Sequence, residues 1–122
     1  MREFGDIYLR RARTAPESIC ALEVRLLRRS SWAPLRAPAV LLWSRRRPRA
    51  FLRAAVRFLE DEPEVRRAVA EGLANAAILD GRGADDPLIA RLLEKSSADP
   101  DERVRTLTEQ TRALLSPDPD PS

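Results

Sequence analysis

Apolar residues recur with helical period nearly everywhere a pattern can be read along the chain. Ile19, Leu22, Leu26 and Leu27 stand at i, i+3, i+7 and i+8, with Arg25, Arg28 and Arg29 on the other side. That predicts an amphipathic helix over about 16–29. Thr14, Pro16 and Glu17 introduce it in capping-box form, the proline falling in a first turn where a missing N–H removes nothing. A shorter first helix over 4–12 carries Phe4, Ile7 and Tyr8 on one side. Farther on, Phe51, Leu52, Ala55, Phe58 and Leu59 fill one arc of a helical wheel, and Arg49, Arg53 and Arg57 follow at i, i+4 and i+8 on the opposite arc. Three more stripes complete the pattern: Val65, Ala68, Val69, Leu73 and Ala76; Leu88, Ile89, Leu92 and Leu93; then Val104, Leu107, Thr108, Thr111, Leu114 and Leu115.

Breakers divide these stripes into elements. Asp61 and Glu64 have capping-box spacing around Pro63, Asp86-Pro87 opens the next helix, and Asp99-Pro100-Asp101-Glu102 repeats the start signal. Between them, Asp80-Gly81-Arg82-Gly83 ends a helix. Residues 30–47 are less legible. Pro34 and Pro38 interrupt any long element, and the apolar run over 39–43 suits a helical turn or a short strand. A lone strand has nothing to pair with, so helix or irregular packing is expected there. The tail, 116–122, alternates proline with aspartate, has nothing to bury and is expected to be disordered. The reading is therefore an all-α small helical bundle: a basic, partly irregular helical segment over 1–47, two helix pairs over 48–115, and the tail.

The two helix pairs resemble each other. Glu62-Pro63-Glu64-Val65-Arg66 and Asp99-Pro100-Asp101-Glu102-Arg103-Val104-Arg105 each join a Leu-rich helix to a following helix, and 39 residues separate Val65 from Val104 and Arg66 from Arg105. A helix pair of this kind cannot bury its apolar face alone and must stack on a neighbour. On these residues the chain resembles the HEAT-repeat family of α-solenoids over 48–115, through Pro63, Val65 and Arg66 in one unit and Asp99, Pro100, Val104 and Arg105 in the other. The resemblance implies antiparallel helix pairs in which the acid and the arginine tie adjacent units together. It makes these residues structural. The sequence departs from the family pattern in having Glu62 where the second box has Asp99, and in a wider Pro-to-Val spacing in that second box. A fainter likeness over 35–70, through Leu35, Arg36, Trp43, Pro48 and Leu52, resembles the helical leader ahead of PIN-like nuclease domains in some proteins predicted to bind RNA.

Charge adds a second kind of asymmetry. Residues 1–59 hold 14 arginines against four acids, while residues 60–122 hold eight basic residues against 15 acids. Either the halves close on each other, or the basic half meets an anionic partner through its positive potential. Arg45, Arg46, Arg47, Arg49, Arg53 and Arg57, with Trp32 and Trp43 nearby, form the constellation best suited to binding. Phosphates reward such a surface by counterion release, and tryptophans can stack on unpaired bases. The competing reading makes the tryptophans core and the arginines solvated or paired.

Catalytic chemistry is poorly represented. The chain has no histidine and one cysteine, Cys20, which removes the commonest general base, thiolate zinc sites and an internal disulfide. Asp80, Asp85 and Asp86 cluster around a Gly-containing turn, where capping explains them better than a metal or an acid–base pair. No cofactor is expected, nor a membrane partner, since the apolar run at 39–43 is far too short to cross one. The expectation is a cytoplasmic, non-catalytic interaction module that binds another protein or itself, with an Arg-rich nucleic-acid binder using residues 25–57 as the alternative. Exposed apolar surface at the open end of a two-unit stack would call for a dimer or partner.

Overall fold

Pro48, Pro63 and Pro87 each occupy the first position of a helix, and Pro34 the second position of another, so the prolines mark where elements begin. The structure, a computed structural model, describes residues 28–116. Those residues form five α-helices: α1 Ala33–Arg46, α2 Pro48–Phe58, α3 Pro63–Leu79, α4 Pro87–Ser97 and α5 Glu102–Leu115, with no strand among them. The helices expected over 4–12 and 16–29, Cys20 and the tail from residue 117 lie outside the described residues. No described helix is long and apolar enough to cross a membrane.

Local chemistry sets the boundaries. Asp86 caps α4 by accepting from the Leu88 and Ile89 N–H groups, and Asp101 caps α5 by accepting from Arg103 and Val104. At the end of α3 the Arg82 N–H reaches the Ala77 carbonyl at 2.8 Å and the Gly81 N–H reaches Ile78 at 3.1 Å. This is a Schellman ending, and it needs the left-handed φ of 69° that Gly81 supplies. Of the two readings open for residues 30–47, helix or irregular packing, the helix holds over 33–46. Residues 39–43 sit inside α1, and Pro38 is absorbed within the helix. A proline there costs about 3 kcal/mol in an isolated helix, and packing overrides it. Ala39 and Val40 are fully buried, and α1 makes its most extensive contact with α3.

Helix α3 is the centre of the molecule. It packs against α1 on one side, α5 on the other and α2 across, while α4 adjoins α2 and α5. That position explains the broad buried face of α3, from Val65 and Ala68 to Leu73, Ala76 and Ala77, which leaves Glu64, Arg67, Glu71 and Asn75 as one exposed stripe. Phe51 and Leu52 of α2, Leu73 of α3, and Ile89 and Leu92 of α4 are the largest fully buried side chains. Burial of each contributes about 1.5–3 kcal/mol. The α1–α3 approach is close because Gly72 faces Ser44: a Cβ added at Gly72 would lie 2.5 Å from Ser44 Oγ. Four of the predicted stripes are inward as expected, except that Leu114 is 68% exposed.

One device recurs at the start of α1, α3 and α5. Ahead of each helix an oxygen-bearing side chain accepts a backbone N–H: Ser30 from Trp32, Asp61 from Glu62, and Asp99 from Asp101. An arginine in the helix then clamps that residue's own carbonyl through Nη1 at 2.7 Å, the pairs being Arg36–Ser30, Arg66–Asp61 and Arg105–Asp99. The same guanidinium reaches forward to the next unit. Arg36 Nε and Nη2 donate to Asp61 at 3.2 and 2.6 Å, and Arg66 Nε and Nη2 donate to Asp99 at 2.8 and 3.3 Å. Forked pairing of this kind fixes geometry as well as adding energy. Because α1, α3 and α5 all start at this ladder, they run parallel in one layer, and α2 and α4 return antiparallel to them.

The ladder corrects the expected capping boxes. The N-cap of α3 is Glu62, whose side chain caps nothing, and Asp61 is engaged by Arg36 instead. Burial alone would raise the Asp61 carboxyl, but the hydrogen bonds from Arg36 and from the Glu62 N–H hold it below its ordinary value. A second pair, Arg67 with Asp101 at 2.6 Å, reinforces the α3–α5 contact and holds the Asp101 carboxyl down to about 2.

Candidate functional site

The stack leaves one face strongly basic. With Phe51, Leu52, Ala54, Ala55 and Leu59 turned inward, the wheel of α2 forces Arg49, Arg53 and Arg57 outward, and all three are exposed. Four residues advance a helix by about 6 Å, so the three guanidinium stems are spaced over roughly 12 Å. At the start of α2 the chain turns with a single non-helical residue, Arg47, and Arg45 and Arg46 end α1, where all three are exposed. No acid occurs between Arg36 and Glu60.

Pairing decides how much of this charge remains available. Among the described residues, only Arg36–Asp61 and Arg49–Asp80 join the basic half of the chain to the acidic half. The second of these is long, 3.4 Å, and its arginine is 67% exposed. The other recorded acids are claimed by cations of their own half: Asp99 by Arg66, Asp101 by Arg67, Asp80 and Asp86 by Arg82, Glu60 by Lys95, and Glu109 by Arg112. Arg45, Arg47, Arg53 and Arg57 have no ion pair among the described residues. Arg45, Arg47, Arg53 and Arg57 are therefore not neutralised by the acidic half among the described residues.

The tryptophans are placed differently from the constellation the sequence suggested. Trp43 packs edge-on against Phe51 and Phe58, with ring centroids 6.3 and 6.1 Å away, and the Arg28 guanidinium lies 3.9 Å over its ring. Its ring is thus already in use and offers no platform for a base. Trp32 is 43% exposed but precedes α1, whereas Arg45, Arg46 and Arg47 follow its other end, about 20 Å along the helix axis. So the structure brings the six arginines to one corner and one helix, leaves Trp32 at the far end of α1, and sets Trp43 beside Arg57 with its ring already engaged. A cleft of about 340 Å³ beside Trp43 is lined by Arg28, Arg29, Arg57, Phe58 and Asp61.

The acids around Gly81 and Gly83 are arranged for structure. Arg82 donates to Asp80 and to Asp86, at 2.8 Å each, and its hydrogen bond, with Arg49 nearby, holds the Asp80 carboxyl below its ordinary value. Asp85 is exposed and stands outside that cluster. No group of three or more potential metal ligands occurs among the described residues.

Of residues 63, 65, 66, 99, 100, 104 and 105, read as the repeat, the valines and arginines fall at matching places, while Pro63 opens α3 and Pro100 precedes the Asp101 cap of α5. Val65 and Val104 are fully buried, Arg66 and Arg105 clamp the preceding turn, and Asp99 bridges the units. Sequence reasoning missed the third member, Ser30 with Arg36. The available signal was an apolar residue followed by arginine, with an oxygen side chain five or six residues earlier, which Leu35-Arg36 shares with Val65-Arg66 and Val104-Arg105. Comparison with protein-family models, with curated proteins and with solved structures found no match for this chain.

Proposed function

We propose that the protein is a non-catalytic, HEAT-like helical-repeat interaction module whose binding surface is the arginine face of α2 and the preceding corner. The observation that carries this reading is the density of exposed positive charge over 45–57: Arg45, Arg47, Arg53 and Arg57 have no ion pair among the described residues, and that of Arg49 is long, at 3.4 Å. A face of that kind raises the local concentration of an anionic partner and its rate of encounter. The HEAT-like part rests on the recurring clamp at Ser30, Asp61 and Asp99 and on the forward pairs that join one unit to the next. The non-catalytic part rests on the missing histidine and on carboxylates already committed to arginines. A cytoplasmic setting agrees with the single cysteine.

At the far end of the stack the outward face is mainly polar, with Leu114 of α5 as its exposed large apolar residue. There α5 turns Thr106, Glu109, Gln110 and Ala113 to solvent, and α4 turns Ala90, Arg91 and Glu94 outward. Glu109 occupies the position, 39 residues on, of Ala70, which is buried against α5 beside Val104 and Leu107. A charged residue there suits a terminal cap whose outer face stays in water.

The test is retention on immobilised heparin, a generic polyanion. The wild-type chain should be retained at low salt, and Arg49→Glu/Arg53→Glu/Arg57→Glu should elute much earlier with an unchanged melting temperature. Equal elution of the two proteins would refute the assignment of the surface.

A further inference from the structure

We propose that the arginine face of α2 takes the phosphate backbone of a nucleic acid without reading its bases. This rests on the interaction-module reading above and adds the class of partner. Three observations favour phosphodiester over an acidic protein.

First, the face has no apolar anchor. Outward residues of α2 are Arg49, Ala50, Arg53 and Arg57, while its large apolar side chains point into the core. Protein interfaces are organised around buried aromatic or aliphatic hot spots, whereas nucleic-acid interfaces are polar and strongly positive. Second, the charge is arginine, repeated once per helical turn. The planar fork suits phosphate oxygens bidentately, and a row of such forks suits a polymer with charge at regular intervals. Third, the rings close to this face are occupied, and exposed Trp32 stands at the far end of α1. Phe51 is fully buried, and Trp43 is held between Phe51, Phe58 and the Arg28 guanidinium. Without a stacking platform the surface can hold a backbone but cannot splay out single bases, so affinity is expected to follow charge and salt, not sequence.

The experiment is fluorescence anisotropy with the full chain and three labelled probes: a mixed-sequence duplex of about 20 base pairs, a single strand of the same sequence, and poly-glutamate of matched charge. If five arginines meet phosphates, duplex affinity should fall roughly 500-fold between 50 and 200 mM salt. Replacing Arg49, Arg53 and Arg57 by Ala should lower the slope of log affinity against log salt by about 3, and replacing them by Lys should restore most of it. A second duplex of unrelated sequence should bind within about twofold of the first. Poly-glutamate binding as tightly as the duplex would overturn the choice of partner while leaving the interaction surface standing. Binding to none of the probes at low salt would overturn both. A duplex bound equally by wild-type and Arg-to-Ala proteins would overturn the site. These residues are exposed, so the variants should fold, and matching circular dichroism and melting temperatures check that they do.

Discussion

Asp99→Asn isolates the rung that joins α3 to α5. The Arg66 and Asp99 side chains are only 16% and 6% exposed. Asp99 Oδ2 accepts from Arg66 Nε, and Oδ1 accepts from both Arg66 Nη2 and the Asp101 N–H. An amide keeps the shape but has one acceptor oxygen, so a donor must face a donor somewhere in this arrangement, and the charge is lost. A hydrogen bond to a charged group contributes about 1.5–3 kcal/mol, and breaking a fully buried pair costs about 3–5 kcal/mol. Arg66 keeps its bond to the Asp61 carbonyl and some access to water, which places Asp99→Asn near the lower range, about 2–3 kcal/mol. For a domain of this size that lowers the melting temperature by roughly 10–20 °C. The control is Glu60→Gln. Lys95 and Glu60 are 35% and 69% exposed, and such pairs contribute about 0–1 kcal/mol. Thermal unfolding followed by circular dichroism measures both, and a cycle with Arg66→Met should return a coupling of about 1–2 kcal/mol. If Asp99→Asn destabilises no more than Glu60→Gln, the ladder does not hold the stack together and the reasoning fails.

Gly72→Ala should destabilise by about 1–3 kcal/mol despite a helix-propensity gain of about 1 kcal/mol, because the new Cβ lies 2.5 Å from Ser44 Oγ and 2.9 Å from Ser44 Cβ. Urea unfolding tests it, and a stabilised variant would show that α1 and α3 are not in close contact. Gly81→Ala meets nothing within 4 Å, so its cost is the left-handed backbone alone, about 1–2 kcal/mol in the same assay; a neutral result would argue against the Schellman ending. Asp61, Asp80 and Asp101 all have folded values below their unfolded ones, the last near 2 against an ordinary 3.8. Their contribution is therefore complete above the ordinary value and is lost as pH falls through the folded one. Melting temperature should drop as pH is lowered from about 5 to 2, and Asp101→Asn should flatten that fall. An identical pH profile in the variant would remove Asp101 from the account.

Local rules made most of the fold readable. Proline at the first helical position, Asp86 as a cap, Gly81 as a left-handed terminator and the period of the apolar stripes each depend on a few neighbouring residues. Hence the starts at Pro48, Pro63 and Pro87 and the all-helical class could be read directly. What failed depended on distant residues. Pro34 and Pro38 look like breakers until α1 is packed on α3. Asp61 and Glu64 look like a capping box until Arg36, 25 residues earlier, takes the carboxylate. The third unit escaped because Arg36 and Arg66 are 30 residues apart, not the 39 between Arg66 and Arg105. A single residue joins α1 to α2, where seven join α3 to α4, so a search at one fixed period passes over it. Leu114 fits the inward stripe by spacing, yet it lies in the last turn of α5 and stays exposed. The candidate site was legible as a run of arginines, but its unpaired state was not, since pairing is decided by which acids the fold brings near.

The melting temperature of the free protein as a function of salt tests that unpaired state most directly. Arginines crowded on one face without acids repel one another, and added salt screens the repulsion. The more buried ladder pairs are screened far less. Between about 0.05 and 0.5 M sodium chloride the melting temperature should therefore rise or stay within about 2 °C. A fall of more than about 5 °C would mean that the basic and acidic halves neutralise each other, and that the arginine face is not available to a partner.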